Sequence, residues 1–467
     1  MQGQRILVSE ALDVRTDLTY ELLGKFGDKY MLASYSDYEF TIHNYNPELY
    51  LTSNQEFELE NKNSDIIHIF SDPNEERFNI LHAIKDRDTT YVVNQPYKPN
   101  LESERPDTLL YLARSFQSYR FRYTFSEDKS KMGLLVMQGG DLIGYLVYDL
   151  IYKEPLFIDF IDPEQGESGF GKFDFYDDYR KSVVTNSGIL YMIFEQNNYY
   201  FKREEHAFYI FKARDAGDLV TAHLPMKNLL TYDAFFSYDN YNNKLLICGL
   251  GSEKNLDRAR VIFQVKQDPK SFSDFEITTF SFQENLLNDF YGNNNKSRRD
   301  YLQNVRIQDV LLVNDGGAIL VLEEVKEMER VTSGGRIDYY GSRYTVDYHY
   351  ENLMLFYLSA DSKKLWQKLL PKRQYSNDDE GAYSSYFVFK NPNHLRFIYN
   401  DEIRNENTVS EYLVRPNGAS LRTNLLSTDF QKLRLQVRNA VQTTSHQVLI
   451  PSLRGKILKL LLIDYLN

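Results

Sequence analysis

Between Pro371 and Tyr386 the chain reads PKRQYSNDDEGAYSSY, with Lys372 and Arg373 placed ahead of Asp378, Asp379 and Glu380. Two adjacent cations can grip carbonyl or carboxylate groups, and Arg does so with a two-point fork. Gln374, Asn377, Tyr383, Ser384 and Ser385 add amides and hydroxyls, and Asn400 and Asp401 end the run RFIYND. Loops are exposed and carry recognition. Lys372, Arg373, Gln374, Asn377, Asp378, Tyr383, Ser384, Ser385, Asn400 and Asp401 are therefore the candidates for contact with a partner. The same stretch also reads as a self-contained loop, its basic start paired with its acidic end and Ser384 and Ser385 leading into the strand YFVF.

Catalytic patterns are incomplete. GESGFGKF (166–173) has the spacing of a phosphate-binding loop up to Lys172, but Phe173 stands where the motif needs Ser or Thr for Mg²⁺. Asp159, Asp162, Glu164 and Glu167 nearby would repel a triphosphate, so the segment reads as a loop. Ser126 and Lys129 have the Ser-x-x-Lys spacing of some acyl enzymes without the companion motifs, and TFSEDKSK reads as a turn. The eight histidines, His43, His68, His82, His206, His223, His349, His394 and His446, include no pair four apart that would put two imidazoles on one helix face for zinc. YDAFFSYDNYNNK offers oxygen ligands but not the order of an EF-hand. A glycosidase carboxylate pair is defined by separation in space, which spacing along the chain does not disclose. The reading is of no catalytic residue, no metal and no cofactor.

The 467 residues carry a net charge of −12, which disfavours nucleic acid or an anionic membrane face as the main partner. Aromatics reach 15%, with 37 Tyr and 30 Phe against one Trp, a bias towards pleated, half-buried surfaces. Cys248 is the single cysteine, so no intrachain disulfide can form. No run of 18 apolar residues offers a spanning helix. MQGQRILVSEALDV lacks the features of a signal peptide, and Met1 can be read as a start codon added to a processed chain beginning at Gln2.

Short apolar runs closed by Gly, Asn or Asp recur: MGLLVMQGG, LIGYLVYDL, GILYMIFEQ, KLLICGLG, DVLLVNDGGAILVLEE and SYFVFKNPNHLRFIYND. These are strand lengths with turn chemistry between them. VNDGGAILV and VRPNGAS read as tight turns that need positive φ. Turn centres near Gly139, Gly188, Asn243, Gly316 and Asn393 recur every 50 to 80 residues or so, a spacing that suits propeller blades with inserted loops. The expected fold is all-β, a propeller-like ring of antiparallel blades in one domain over 1–467, with tandem β-sandwiches as the alternative. RILVSEAL and GKILKLLLIDYL are expected to close the ring from both termini, the alternative for the second being a short helix. SERPDTLLYLARSF is expected to be a short helix, with Pro106 in its first turn. GNNNKSRRD (292–300) is expected to protrude.

YRFRYTFSEDKSKMGLLV, LIGYLVYDLIYKE, VVTNSGILYMI, KLLICGL, DGGAILVLEE, LMLFYLSADSKKLWQKLLPKRQ, EGAYSSYFV and RFIYND occur in an order that resembles a family of secreted, β-propeller-like proteins of Bacteroidetes. The resemblance covers roughly residues 118 to 415 and contains no catalytic motif. Phe157 departs from it, standing where Trp is more usual, and the first hundred residues lie outside it. The resemblance implies a propeller-like fold and export, with a signal peptide removed before Gln2. It also implies that the order in 371–386 reflects a fixed loop conformation.

The function expected on these grounds is non-enzymatic: a periplasmic or outer-membrane-associated propeller that binds a protein of the cell envelope. An accessory or plug subunit of an outer-membrane transport machine, such as the type IX secretion translocon, is one concrete form. The alternative is a propeller that binds or hydrolyses glycans, with aromatic platforms and carboxylates in its funnel.

Overall fold

The computed structural model describes residues 3–465 apart from 73, 75, 114–117, 162–172, 268–270, 293–298, 338–342, 402, 404–407 and 428–431. Within them the chain forms eight antiparallel sheets. Seven are meanders of consecutive strands: blade 1 (19–58), blade 2 (64–113), blade 3 (119–160), blade 4 (179–225), blade 5 (230–281), blade 6 (305–370) and blade 7 (387–427). Blade 8 takes Val441–Gln442, Gln447–Arg454 and Ile457–Tyr465 from the end of the chain and Gln4–Val8 from its start. The register there runs from Gln4 opposite Tyr465 to Val8 opposite Leu461. First strands touch between blades 1 and 2, 3 and 4, 4 and 5, and 5 and 6, and Val441–Gln442 of blade 8 touches Thr19–Phe26 of blade 1, which closes the ring. The fold is an eight-bladed β-propeller, and the GKILKLLLIDYL run is a strand.

Eight apolar clusters fill the eight seams between blades. Met192, Phe194 and Phe211 of blade 4 pack on Leu135, Val147 and Phe157 of blade 3, and Leu320 and Phe356 of blade 6 pack on Leu250 and Ile262 of blade 5. Middle strands are thus covered on both faces. Lys131–Gln138 is buried at every position but its ends, whereas the outermost strand Leu51–Glu58 is largely exposed. Burial on both faces removes the alternation that normally marks a strand, leaving a continuous apolar run. Cys248 is one of these seam residues, its thiol pushed up to about 12 by burial.

Of the expected turn centres, Gly188, Asn243, Gly316 and Asn393 join the first and second strands of blades 4 to 7. Gly139 instead joins the second and third strands of blade 3, whose first turn lies at 126–130. Gly418, at φ 79°, closes the VRPNGAS turn, and a Cβ there would stand 2.8 Å from the Trp366 ring of blade 6. That indole donates to the Pro416 carbonyl at 3.0 Å, tying two blades together.

The expected helix at 103–116 is a correction. Asp107–Ala113 is the outermost strand of blade 2, with Leu110 and Leu112 buried and Tyr111 exposed between them. Period-two burial outweighs the helix-start signal, and Pro106, just ahead of the strand, takes no ladder N–H away. The one α-helix among the described residues, Glu284–Tyr291, sits between blades 5 and 6 and buries Leu286 and Leu287. Most of GNNNKSRRD lies outside the described residues.

An unpaired strand edge recruits other strands. Removing residues 1–8 is expected to expose the Ile457–Tyr465 edge and drive self-association, seen as earlier elution in size-exclusion chromatography. An unchanged elution volume would show that the N-terminal strand does not guard that edge.

Candidate functional site

In an up-and-down meander, connections between second and third strands share one face of the ring with the connections between blades. The 371–386 loop, which joins blade 6 to blade 7, stands on that face. Its polar side chains turn inward. Lys372 and Glu323 have fully buried side chains, 0% exposed, and their Nζ and Oε1 lie 2.6 Å apart. Lys372 also donates to the Tyr350 carbonyl at 3.1 Å and to Gln374 Oε1 at 2.8 Å. Gln374 donates to the Ser385 and Asn400 carbonyls at 3.1 and 2.6 Å and accepts the Ser385 N–H at 2.7 Å. Ser385 Oγ donates to Glu323 at 2.6 Å, and Asn400 Nδ2 donates to the Tyr383 and Leu435 carbonyls, each at 2.7 Å. Burial pushes the Lys372 ammonium down, and the adjoining Glu323 carboxylate opposes that shift.

The network turns most of the expected contact residues into internal braces. Lys372, Gln374, Tyr383, Ser384, Ser385 and Asn400 are all buried, so their side chains have no face to offer a partner. The expected pairing within the loop is also corrected. Lys372 pairs with Glu323 of blade 6, Asp379 with Arg434 at 3.2 Å, and Glu380 with Arg336 at 3.5 Å. Asp378, at φ 53°, accepts the Val346 N–H at 3.0 Å. Asn377 is half-buried in the short strand Gln374–Asn377, which pairs with 347–350 on the extended hairpin of blade 6. Asp401 pairs with Arg422 and accepts from Ser410. Arg373 is exposed.

The axis is lined by first strands, and five of the eight shift register by one residue. The shifts fall between Leu22 and Gly24, Ile66 and His68, Tyr179 and Lys181, Thr231 and Asp233, and Ile307 and Asp309. Such bulges bend a strand and re-aim its side chains. On one side of the ring His68 stacks on Tyr123, 4.6 Å between ring centroids, and both stand near Phe125. Glu21 is close by, its carboxyl raised by burial. On the other side Lys181 lies 4.1 Å over the Phe235 ring, its ammonium lowered by burial. The Asp309 carboxyl is raised by burial, with Lys390 and Lys181 opposing. The Asp233 oxygens accept the N–H groups of Ile307 and Ala234 at 2.7 and 2.9 Å, pinning blade 5 to blade 6. The first-strand acids raised by burial stand on blades 1, 5 and 6.

Other sequence candidates are structural. Ser126 Oγ donates to Asp128 at 2.6 Å and accepts the Lys131 N–H at 2.9 Å, and Lys129 takes the positive-φ turn position. His206 is bonded to Glu195 at 2.9 Å and to the Leu229 carbonyl at 2.6 Å inside blade 4. Burial pushes the Glu195 carboxyl up, but its bonds to His206 and Arg180 outweigh that and leave it below its usual value. Lys172 and the rest of GESGFGKF up to it lie outside the described residues, while Phe173 is buried in the seam of blades 3 and 4. No group of three His, Cys, Asp or Glu could hold a metal among the described residues.

The feature that spacing did not reveal is the second-to-third-strand connection of blade 4, on the same face as 371–386. A single 3-10 turn, Tyr200–Lys202, leaves Phe201 96% exposed, with Tyr199 and Tyr200 half in solvent. Arg203 lies 4.8 Å over the Tyr200 ring and donates to the Glu253 carbonyl of blade 5 at 3.1 Å. Lys202 lies 5.8 Å over Tyr199. An open depression of about 760 Å³ adjoins the turn, lined by Tyr200, Arg203, Lys227, Asn228, Glu253 and Lys254 among others. The available signal was NNYYFKRE: three consecutive aromatics between amides and cations, with no alternation to bury them.

No family model matches the chain, and no curated protein matches it. Among solved structures it is similar to the uncharacterized protein lmo1340 from Listeria monocytogenes EGD-e, at 10% identity and TM-score 0.41, covering 95% of this chain and 91% of that one. It is similar to polysaccharide lyase Uly1 at 11% identity and TM-score 0.42, covering 84% and 88%. The β-propeller domain of Nup133 from Vanderwaltozyma polyspora aligns at 9% identity and TM-score 0.38, covering 99% of each chain. Likenesses of this degree assign no activity, and the fold rests on the eight sheets.

Proposed function

We propose that this propeller is a non-enzymatic binding subunit of the cell envelope, docking a protein through the face that carries 371–386 and the 197–206 connection. The observation that carries the reading is Phe201 standing in solvent beside two tyrosines and two cations. Large exposed aromatics and arginines are the residue types that dominate binding energy in protein interfaces. Their rings give large contact area with few rotors to freeze. The braces within 371–386 support the reading from below, since they hold the same face rigid without using its surface. An accessory or plug role in an outer-membrane transport machine such as the type IX secretion translocon is the form of this reading that the family resemblance favours.

The test is capture of the tagged full chain from solubilised envelopes, alongside Phe201→Ala. The intact chain is expected to bring down an envelope protein in stoichiometric amount. The variant is expected to bind that protein about thirtyfold more weakly, the effect of truncating a central aromatic anchor. Equal recovery by both chains would remove the aromatic turn from the interface, and recovery of the bare chain alone would count against a stable envelope complex.

A further inference from the structure

Four rings and one acid gather beside the axis, on the first strands of blades 1, 2 and 3. His68 and Phe70 stand two apart on the blade 2 strand, and Tyr123 and Phe125 two apart on the blade 3 strand, so each pair shares one face. The rings of Tyr123, His68 and Phe70 lie nearly parallel, 4.6 and 5.7 Å apart in turn. Phe125 lies 4.8 Å from Phe70 and 5.9 Å from Tyr123. A hollow of about 200 Å³ adjoins them, lined by Glu21, His68, Phe70, Ser71, Phe125 and Lys129 among others. The register shifts between Leu22 and Gly24 and between Ile66 and His68 fall on two of its walls. His68 is half-buried and Tyr123 is 38% exposed, so the stack is open to solvent. Nothing in the protein-binding reading uses these residues.

The acid is uncompensated. Glu21 is half-buried, its carboxyl is raised by burial, and among the described residues no cation offsets that shift. Its charge opposes ionisation of the Tyr123 and Tyr35 hydroxyls, which places the carboxylate beside the ring stack. Lys129 is the one Lys or Arg of the lining, and it stands exposed on the 126–130 turn. His68 adds no positive charge near neutral pH, since burial lowers its imidazole to about 4. A partly desolvated carboxylate is relieved by a cation that comes close to it. Ring faces attract cations as well, most strongly where water is excluded. An uncharged molecule of the same shape gains neither.

We propose that this hollow binds a small alkylated ammonium ion. The charged nitrogen lies against Glu21, and its alkyl groups lie against Tyr123, His68 and Phe125. A bare metal cation suits the site poorly, because it asks for several oxygen ligands and meets one carboxylate among rings. The volume falls below that of clefts for drug-sized ligands, which limits the ion to a few heavy atoms.

The test is isothermal titration of the full chain with choline, its uncharged isostere dimethylbutanol, and glucose as separate probes, sodium holding the ionic strength constant. Choline is expected to bind at one site with a dissociation constant below about 5 mM, and the two neutral probes at least about tenfold more weakly. Glu21→Gln keeps the shape of the side chain and removes its charge, and is expected to weaken choline about tenfold. Tyr123→Leu, at a partly exposed position, is expected to weaken it about fivefold. Glu56→Gln removes a charge from the exposed outermost strand of blade 1 and is expected to leave choline binding unchanged. The proposal is overturned if choline gives no heat up to about 20 mM. It also fails if dimethylbutanol matches choline, which would mean apolar contact only, if glucose binds more tightly than choline, or if neither Glu21→Gln nor Tyr123→Leu alters the affinity.

Discussion

Lys372→Met is expected to lower the stability of the propeller by about 3–5 kcal/mol, because it strands the Glu323 carboxylate in an interior with no water to solvate it. The substitution keeps the length and apolar stem of the side chain, so the loss is of charge and not of volume. Ser385 and the Lys372 ammonium are the described partners of that carboxylate, and Gln374 loses its lysine neighbour at the same time. The double variant Glu323→Gln, Lys372→Met removes both charges and is expected to recover most of the loss, since replacing a buried pair together is often near neutral. Denaturant unfolding of the three chains measures this directly. A Lys372→Met chain as stable as the parent, or a double variant less stable than the single one, would mean that the pair does not brace the blade 6–7 connection.

The second large effect is a loss of stability in mild acid. Burial lowers His43, His68 and His82, in blades 1 and 2, each to about 4 from the 6.5 of a free imidazole. Between these two values the unfolded imidazoles take up protons and the folded ones do not, so the unfolded chain binds more protons. Stability therefore falls as pH drops from about 6.5 to about 4, by about 2–3 kcal/mol per histidine over the full window. Asp347 and Glu104, held low by Arg330 and Lys153, add to the loss at still lower pH. Glu21, Asp233 and Asp309, raised by burial, act in the opposite sense. Unfolding midpoints measured from pH 7 to pH 4 are expected to slope downward, and the His43→Asn, His82→Asn chain to slope less. A flat profile, or one unaltered by the double substitution, would place those imidazoles in contact with water.

Much of the architecture was legible because blade strands and their turns carry local chemistry. Gly188, Asn243, Gly316 and Asn393 mark the inner hairpins of four successive blades, since each turn needs a residue tolerant of its backbone. Blade number was not legible, because first strands start at 19, 64, 119, 179, 230, 305, 387 and 441, and insertions stretch the interval unevenly. Burial on both faces hid the strand period in the middle strands, whereas 103–116 resembled a helix start because Pro106 stands just ahead of its apolar run. The polar density of 371–386 identified an important loop but not its direction. Whether Lys372 faces water or Glu323 depends on a partner 49 residues away, visible only as an acid embedded in AILVLEEV. The register shifts that shape the axis left no local mark, since a one-residue bulge is set by pairing across strands. Phe201 was overlooked because exposure is a property of the folded turn and not of the residue.

The central claim is that one face of this ring holds a protein, and a photo-reactive residue placed in living cells tests it most directly. Benzoylphenylalanine at position 201 samples the proposed face, and the same residue at position 152 samples the opposite face, where Tyr152 is 76% exposed between the third and fourth strands of blade 3. The account predicts one discrete covalent adduct of an envelope protein from position 201 and none from position 152. No adduct at 201, or the same adduct from both positions, would contradict it.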